Sequence, residues 1–103
     1  MNNNNVGLAI DTSTRYALVG ISVEGQSIAE LSWRSQRNHS VELVPALQRV
    51  LAQVKMTWSD ISVIYVAIGP GGFSALRVGI STAIALAKAR SIPLVTIGTL
   101  EVE

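Results

Sequence analysis

With 103 residues, 49% of them apolar and 15% charged, the chain holds one small domain with a single core, and its apolar content is high enough to suggest a covered surface. A net charge of +1, with no basic run and no basic patch interleaved with aromatics, argues against direct binding of nucleic acid or anionic membrane. Cysteine is absent, which removes disulfides, thiolate catalysis and cysteine-ligated zinc and fits a cytoplasmic setting.

The polar start Met1 to Asn5 lacks the basic and apolar segments of a signal peptide and reads as a disordered tail. Val6 to Ile10 is a short apolar run closed by Asp11-Thr12-Ser13-Thr14, residues that bend a backbone through their own side chains: a buried strand and a turn. Tyr16 to Val23 is rich in β-branched residues, Glu24-Gly25 suits a tight turn, and Ser27 to Trp33 alternates apolar with polar. Three antiparallel strands are expected. From Ser40 the period changes, and Val41, Val44, Leu47, Leu51 and Val54 recur at helical steps, with Leu43, Ala46 and Val50 widening the stripe. Pro45 falls near the start of that helix, where a missing N–H costs little.

Ile61 to Ile68 is a continuous apolar strand, ended by Gly69-Pro70-Gly71-Gly72. A second helix begins at Phe73 or Ser74 and runs to about Arg90, before Pro93 and a strand from Leu94 to Ile97. The stretch Ile80 to Ala89 is broken by Ser81, Thr82 and Lys88 and is far shorter than the roughly 20 apolar residues of a membrane span. Gly98 to Glu103 resembles a cap and one helical turn, which has no stability alone, so the chain is expected to be the front part of a longer protein. The order strand-strand-strand-helix-strand-helix-strand makes an α/β fold with a mixed sheet and an antiparallel hairpin edge.

Two loops carry candidate chemistry. Asp11, Thr12 and Ser13 could hold phosphate oxygens, but a turn that satisfies its own backbone explains them as well. Gly71 and Gly72 precede a helix whose amides could receive an anion, yet the loop lacks the lysine of a phosphate-binding Walker loop and the spacing of a dinucleotide fingerprint. Its glycines are read as serving backbone geometry, with Phe73 plugging the turn into the core. Arg77 sits in the first helical turn, where the dipole does not favour a cation, so an anion or a partner carboxylate would explain it. His39 is the only histidine, and no second ligand stands at metal spacing. Ser13, Ser40 and Ser74 have neither a nucleophile-elbow setting nor an evident base. In the second helix Leu76, Ile80, Ala83, Ile84 and Ala87 form one stripe, and Val78, Ser81, Thr82, Ala85 and Ala89 another of small residues. Two adjacent helices with both faces fit to be covered suggest a helical interface.

The stretches AIDTST, HSVELVPAL and GPGGFSALRVG resemble the N-terminal lobe of the TsaB/YeaZ family, with departures from its usual glycine motif at Gly72, Ser74 and Ala75. The resemblance implies a ribonuclease-H-like lobe of the actin-like ATPase superfold over residues 6–103, a mixed five-stranded sheet with helices, and a second lobe beyond. It implies a non-catalytic subunit that pairs with a TsaD-type paralogue in the threonylcarbamoyladenosine modification of tRNA and forms homodimers through a similar surface. It further implies a TsaE-type ATPase in the assembly, only indirect contact with tRNA, no membrane, no cofactor of its own and ATP only in the full complex. The interface it implies on the two helices is Val41, Val44, Leu47, Leu51, Leu76, Arg77, Ile80 and Ile84. TsaD-like proteins hold a metal through His-x-x-x-His, whereas here Leu43 follows His39 at the fourth place, so that site is expected to be missing, along with peptidase activity. The alternatives are a nucleotide-dependent phosphotransferase using Asp11 and Thr12, or a glycoprotease-like peptidase.

Overall fold

The computed structural model describes residues 5–13, 16–34, 39–69 and 73–98, with the side chains of residues 39, 40 and 73–76 left aside. The elements run β1 (Val6–Asp11), β2 (Tyr16–Val23), β3 (Gln26–Arg34), α1 (His39–Gln53), a 3-10 turn (Trp58–Asp60), β4 (Val63–Ala67), α2 (Phe73–Arg90) and β5 (Leu94–Ile97). They form one five-stranded sheet in the order β3-β2-β1-β4-β5. β1 pairs antiparallel with β2 and parallel with β4, so the central strand is where the antiparallel meander meets the parallel crossovers. The fold expected from the sequence is therefore observed.

Alternation decides the faces of the sheet. The register sets Leu8 opposite Ile21 and Ile10 opposite Val19 on one side, and Leu8 beside Ile64 and Ile10 beside Val66 on the other. All six are buried and form the floor on which both helices lie. α1 rests on β2 and β3, α2 on β4, β1 and β5. The β2–β3 connection needs two residues with positive φ, Glu24 at 53° and Gly25 at 81°, the type I′ geometry whose twist matches a two-residue hairpin. At the same end of β1, the Val6 amide donates to Ser62 Oγ at 2.7 Å and the Ser62 amide to the Val6 carbonyl at 2.8 Å.

Three expectations are corrected. α1 turns Leu43, Ala46, Leu47, Val50 and Leu51 to the sheet, whereas Val41 and Val44 lie outside, so the apolar arc is rotated from the expected stripe. Pro45 stands past the first turn, and the Val41 carbonyl lacks the N–H that would close its i→i+4 bond. β4 (Val63–Ala67) is shorter than the apolar run from Ile61 to Ile68, and a 3-10 turn, Trp58–Asp60, precedes that run, its Asp60 Oδ2 accepting from the Thr57 amide at 2.8 Å. The tail to Asn4 and the turn after Gly98 lie outside the described residues.

Leu47 is fully buried in this core, and Leu47→Ala is expected to lower stability by about 2–5 kcal/mol in chemical denaturation. Val41→Ala, at 67% exposure, is expected to stay within about 0.5 kcal/mol of wild type in the same experiment.

Candidate functional site: the β1 turn and the outer faces of two helices

The turn after β1 is closed on itself. Asp11 Oδ1 accepts from the Ser13 amide at 2.8 Å and from Ser13 Oγ at 2.6 Å, an Asx-type arrangement. Thr12 is 1% exposed and Ser13 4%. The Thr12 hydroxyl packs against Gly79 of α2, whose α-carbon faces it so closely that a β-carbon added there would collide with Oγ1 and crowd the methyl. Thr12 and Ser13 are both buried, and the Ser13 amide and hydroxyl are committed to Asp11. Gly71 and Gly72, the other half of that candidate set, lie outside the described residues. Gly69, just before those residues, takes φ 141°, a conformation that favours glycine.

This close approach shapes the inner face of α2 from Arg77 onward. Among the described side chains of the helix, Gly79, Ala83 and Ala87 are buried, small enough to let the helix axis come near the sheet, with Leu86 and Ile80 half-buried at the margins. The side that looks away from the core carries Arg77, Ser81, Ile84 and Lys88, with Ile84 41% exposed. Small residues thus serve the sheet contact as much as any outside partner, which the sequence pattern does not reveal.

The expected interface residues divide accordingly. Val41, Val44, Arg77 and Ile84 are on the surface, and Ile80 is half-buried. Leu47 and Leu51 are corrected: both are buried under α1, where the sheet already covers them, so neither is available to a partner. Leu76 lies in α2, but its side chain is outside the described residues, as is that of His39. A shallow pocket of about 200 Å³ runs beside Arg77, Val78, Ser81 and Thr82. Among the described residues no group of three or more His, Asp or Glu side chains is placed to hold a metal ion. No described helix is long and apolar enough to cross a membrane.

Two features escape sequence reasoning. Trp33 Nε1 donates to Glu42 Oε1 at 3.0 Å, tying the end of β3 to the first turn of α1. Arg90 stacks over the Trp58 ring at 5.1 Å, tying the end of α2 to the 3-10 turn. Neither pair has a spacing that marks it in the chain.

Sheet order, strand directions and helix placement define a ribonuclease-H-like lobe. The RuvC structure from Thermus thermophilus, 12% identical, superposes with a TM-score of 0.63 over 90% of this chain and 63% of its own, a likeness of fold alone. YeaZ from Pseudomonas aeruginosa superposes with a TM-score of 0.84 at 28% identity, over 91% of this chain and 44% of that one. The Bacillus subtilis tRNA threonylcarbamoyladenosine biosynthesis protein TsaB is 37% identical over 91% of this chain and 41% of its own length. The TsaD family, described as tRNA N6-adenosine threonylcarbamoyltransferase, matches residues 33–103. The chain belongs to this family, on its TsaB/YeaZ branch. It spans less than half the length of these TsaB and YeaZ relatives.

Gly79→Ala tests the contact between turn and helix. Alanine gains up to about 1 kcal/mol of helix propensity, but overpacking against a buried, β-branched Thr12 costs about 1–3 kcal/mol, so a net loss of stability is expected in denaturant titration. Adding Thr12→Ala should return part of that loss, with a coupling above about 0.5 kcal/mol.

Proposed function

We propose that this chain is a non-catalytic lobe of a TsaB-type subunit, which docks a TsaD-type paralogue on the outer faces of α1 and α2 and so supports threonylcarbamoyladenosine formation on tRNA. The reading rests on the large apolar side chains left outside on these two packed helices, Val41, Val44 and Ile84, in a chain whose core is complete without them. Tyr16, Ile28, Ile68 and Val95 are exposed as well, but Val41, Val44 and Ile84 are the ones carried by the two neighbouring helices. Arg77 adds a cation with no ion-pair partner among the described residues, ready for a carboxylate on the facing subunit.

Family membership supports this class of partner, since a paralogue with the same lobe would offer a matching pair of helices and a pseudo-twofold interface. In its absence the same face would serve a second copy of this chain. A TsaE-type ATPase is the further expected member of the assembly, and tRNA is reached through the catalytic paralogue. The buried Thr12 and Ser13 favour this scaffold role over a phosphotransferase built on Asp11 and Thr12.

Arg77→Glu combined with Ile84→Glu tests the reading in a co-purification with the TsaD-type subunit. Both positions are exposed, so the thermal midpoint should stay close to wild type while complex formation falls at least about tenfold. Retention of wild-type binding by the folded double variant would refute it.

A further inference from the structure

β3 is an edge strand of nine residues, paired among the described residues with β2 alone. The backbone N–H and C=O groups on its outer side therefore have no strand partner among the described residues. Natural edges are usually blunted by proline, lysine, an inward charge or a bulge. β3 has no proline and no lysine, its charged residues are Glu30 and Arg34, and its one irregularity against β2 falls at Ile28, ahead of the segment from Glu30 to Arg34.

The side chains are arranged unevenly about this edge. Leu31 and Trp33 point to the helix side, where α1 leaves them half-buried. A groove of about 360 Å³ opens there between β3 and α1, lined by Leu31, Trp33, Val41, Pro45, Ala46 and Arg49. On the opposite side Glu30, Ser32 and Arg34 are exposed. The Glu30 carboxylate accepts from Ser27 Oγ at a long 3.3 Å, and Arg34 has no ion-pair partner among the described residues.

These positions are self-complementary. Two β3 strands run antiparallel about a twofold axis through Ser32 place Glu30 opposite Arg34 twice, on the open face, and Leu31 opposite Trp33 twice, on the helix face. Opposite charges and apolar pairs directly across a ladder are the stabilising cross-strand pairs. The charges that would repel a random strand thus select this register. The groove leaves space beside each strand for the Leu31 and Trp33 of the other copy.

We propose that a second copy of this chain adds to the free edge of β3 in that register, joining two sheets into one of ten strands. The groove takes in Val41 of the proposed docking face but not Val44, Arg77 or Ile84, so the inference stands apart from the proposed function at those three positions. The charge pattern chooses a second copy over an unrelated extended segment, because the strand is its own complement.

The absence of cysteine allows a direct test in the intact protein. Ser32 would face its own copy across the axis, where antiparallel Cα separations of about 4.5–5.5 Å fall within the roughly 4.4–6.8 Å range of a disulfide. Under mild oxidation Ser32→Cys is expected to form a covalent dimer faster than a Gln53→Cys control at the exposed end of α1. Adding Glu30→Arg should slow the cross-link about tenfold by setting like charges opposite one another, and Glu30→Arg with Arg34→Glu should restore it. Glu30 and Arg34 are exposed, so these changes leave the fold intact. Sedimentation of the cysteine-free charge variants reads the same association without oxidation, and is expected to show a dimer weakened by Glu30→Arg and recovered in the double reversal. Cross-linking no faster than in the control, or association indifferent to the charge reversal, would overturn the proposal.

Discussion

The constraint on which the rest of the lobe depends is that β1 has to satisfy two unlike neighbours at once. On one side it meets β2 antiparallel, on the other β4 parallel, and both registers bring Leu8 and Ile10 beside buried partners on the same face. A slip of one residue in either pairing would put Gly7, Ala9 and Asp11 under the helices and the apolar residues on the open face. The end of β1 is then fixed from above. Thr12 packs against Gly79, so the turn and α2 take their positions from each other.

That arrangement bears on function because it occupies one face of each helix. α1 commits Leu43, Ala46, Leu47, Val50 and Leu51 to the sheet, and α2 commits Gly79, Ala83 and Ala87. What remains outside is Val41 and Val44 on one helix and Arg77, Ser81 and Ile84 on the other. Exposed large apolar residues stand on both helices, Val41, Val44 and Ile84, and also off them, at Tyr16, Ile28, Ile68 and Val95; the proposed docking role draws on the first group. The open β3 edge adds a second surface of a different kind, governed by backbone pairing and alternating side chains.

Much of the fold is legible in the chain. Strand and helix order follow from the change of period near Ser40, and the hairpin from Glu24-Gly25, where the observed positive φ values match a type I′ turn. The α2 boundaries agree because Pro93 and the glycine loop bracket it. The orientation of α1 is less legible, since Val41, Val44 and Leu47 share an apolar arc with Leu43, Ala46 and Val50, and periodicity gives the width of an arc without saying which part the sheet will cover. Leu47 and Leu51 fall into the expected interface for that reason, and under the helix in the fold. The turn after β1 is legible only as an ambiguity between a phosphate site and a self-satisfied turn; in the fold Thr12 is buried and Asp11 accepts twice from Ser13. The Gly79 contact and the Trp33–Glu42 bond join residues whose proximity is set by tertiary packing, so no local spacing signals them.

Docking through the two helices is open to a single decisive experiment: hydrogen exchange of the intact protein, with and without a saturating TsaD-type subunit. Helix docking predicts slower exchange in the peptides covering 39–53 and 73–90, with the β4 and β5 strands unchanged. Protection confined to the sheet strands, with both helices unaffected in a formed complex, would contradict it.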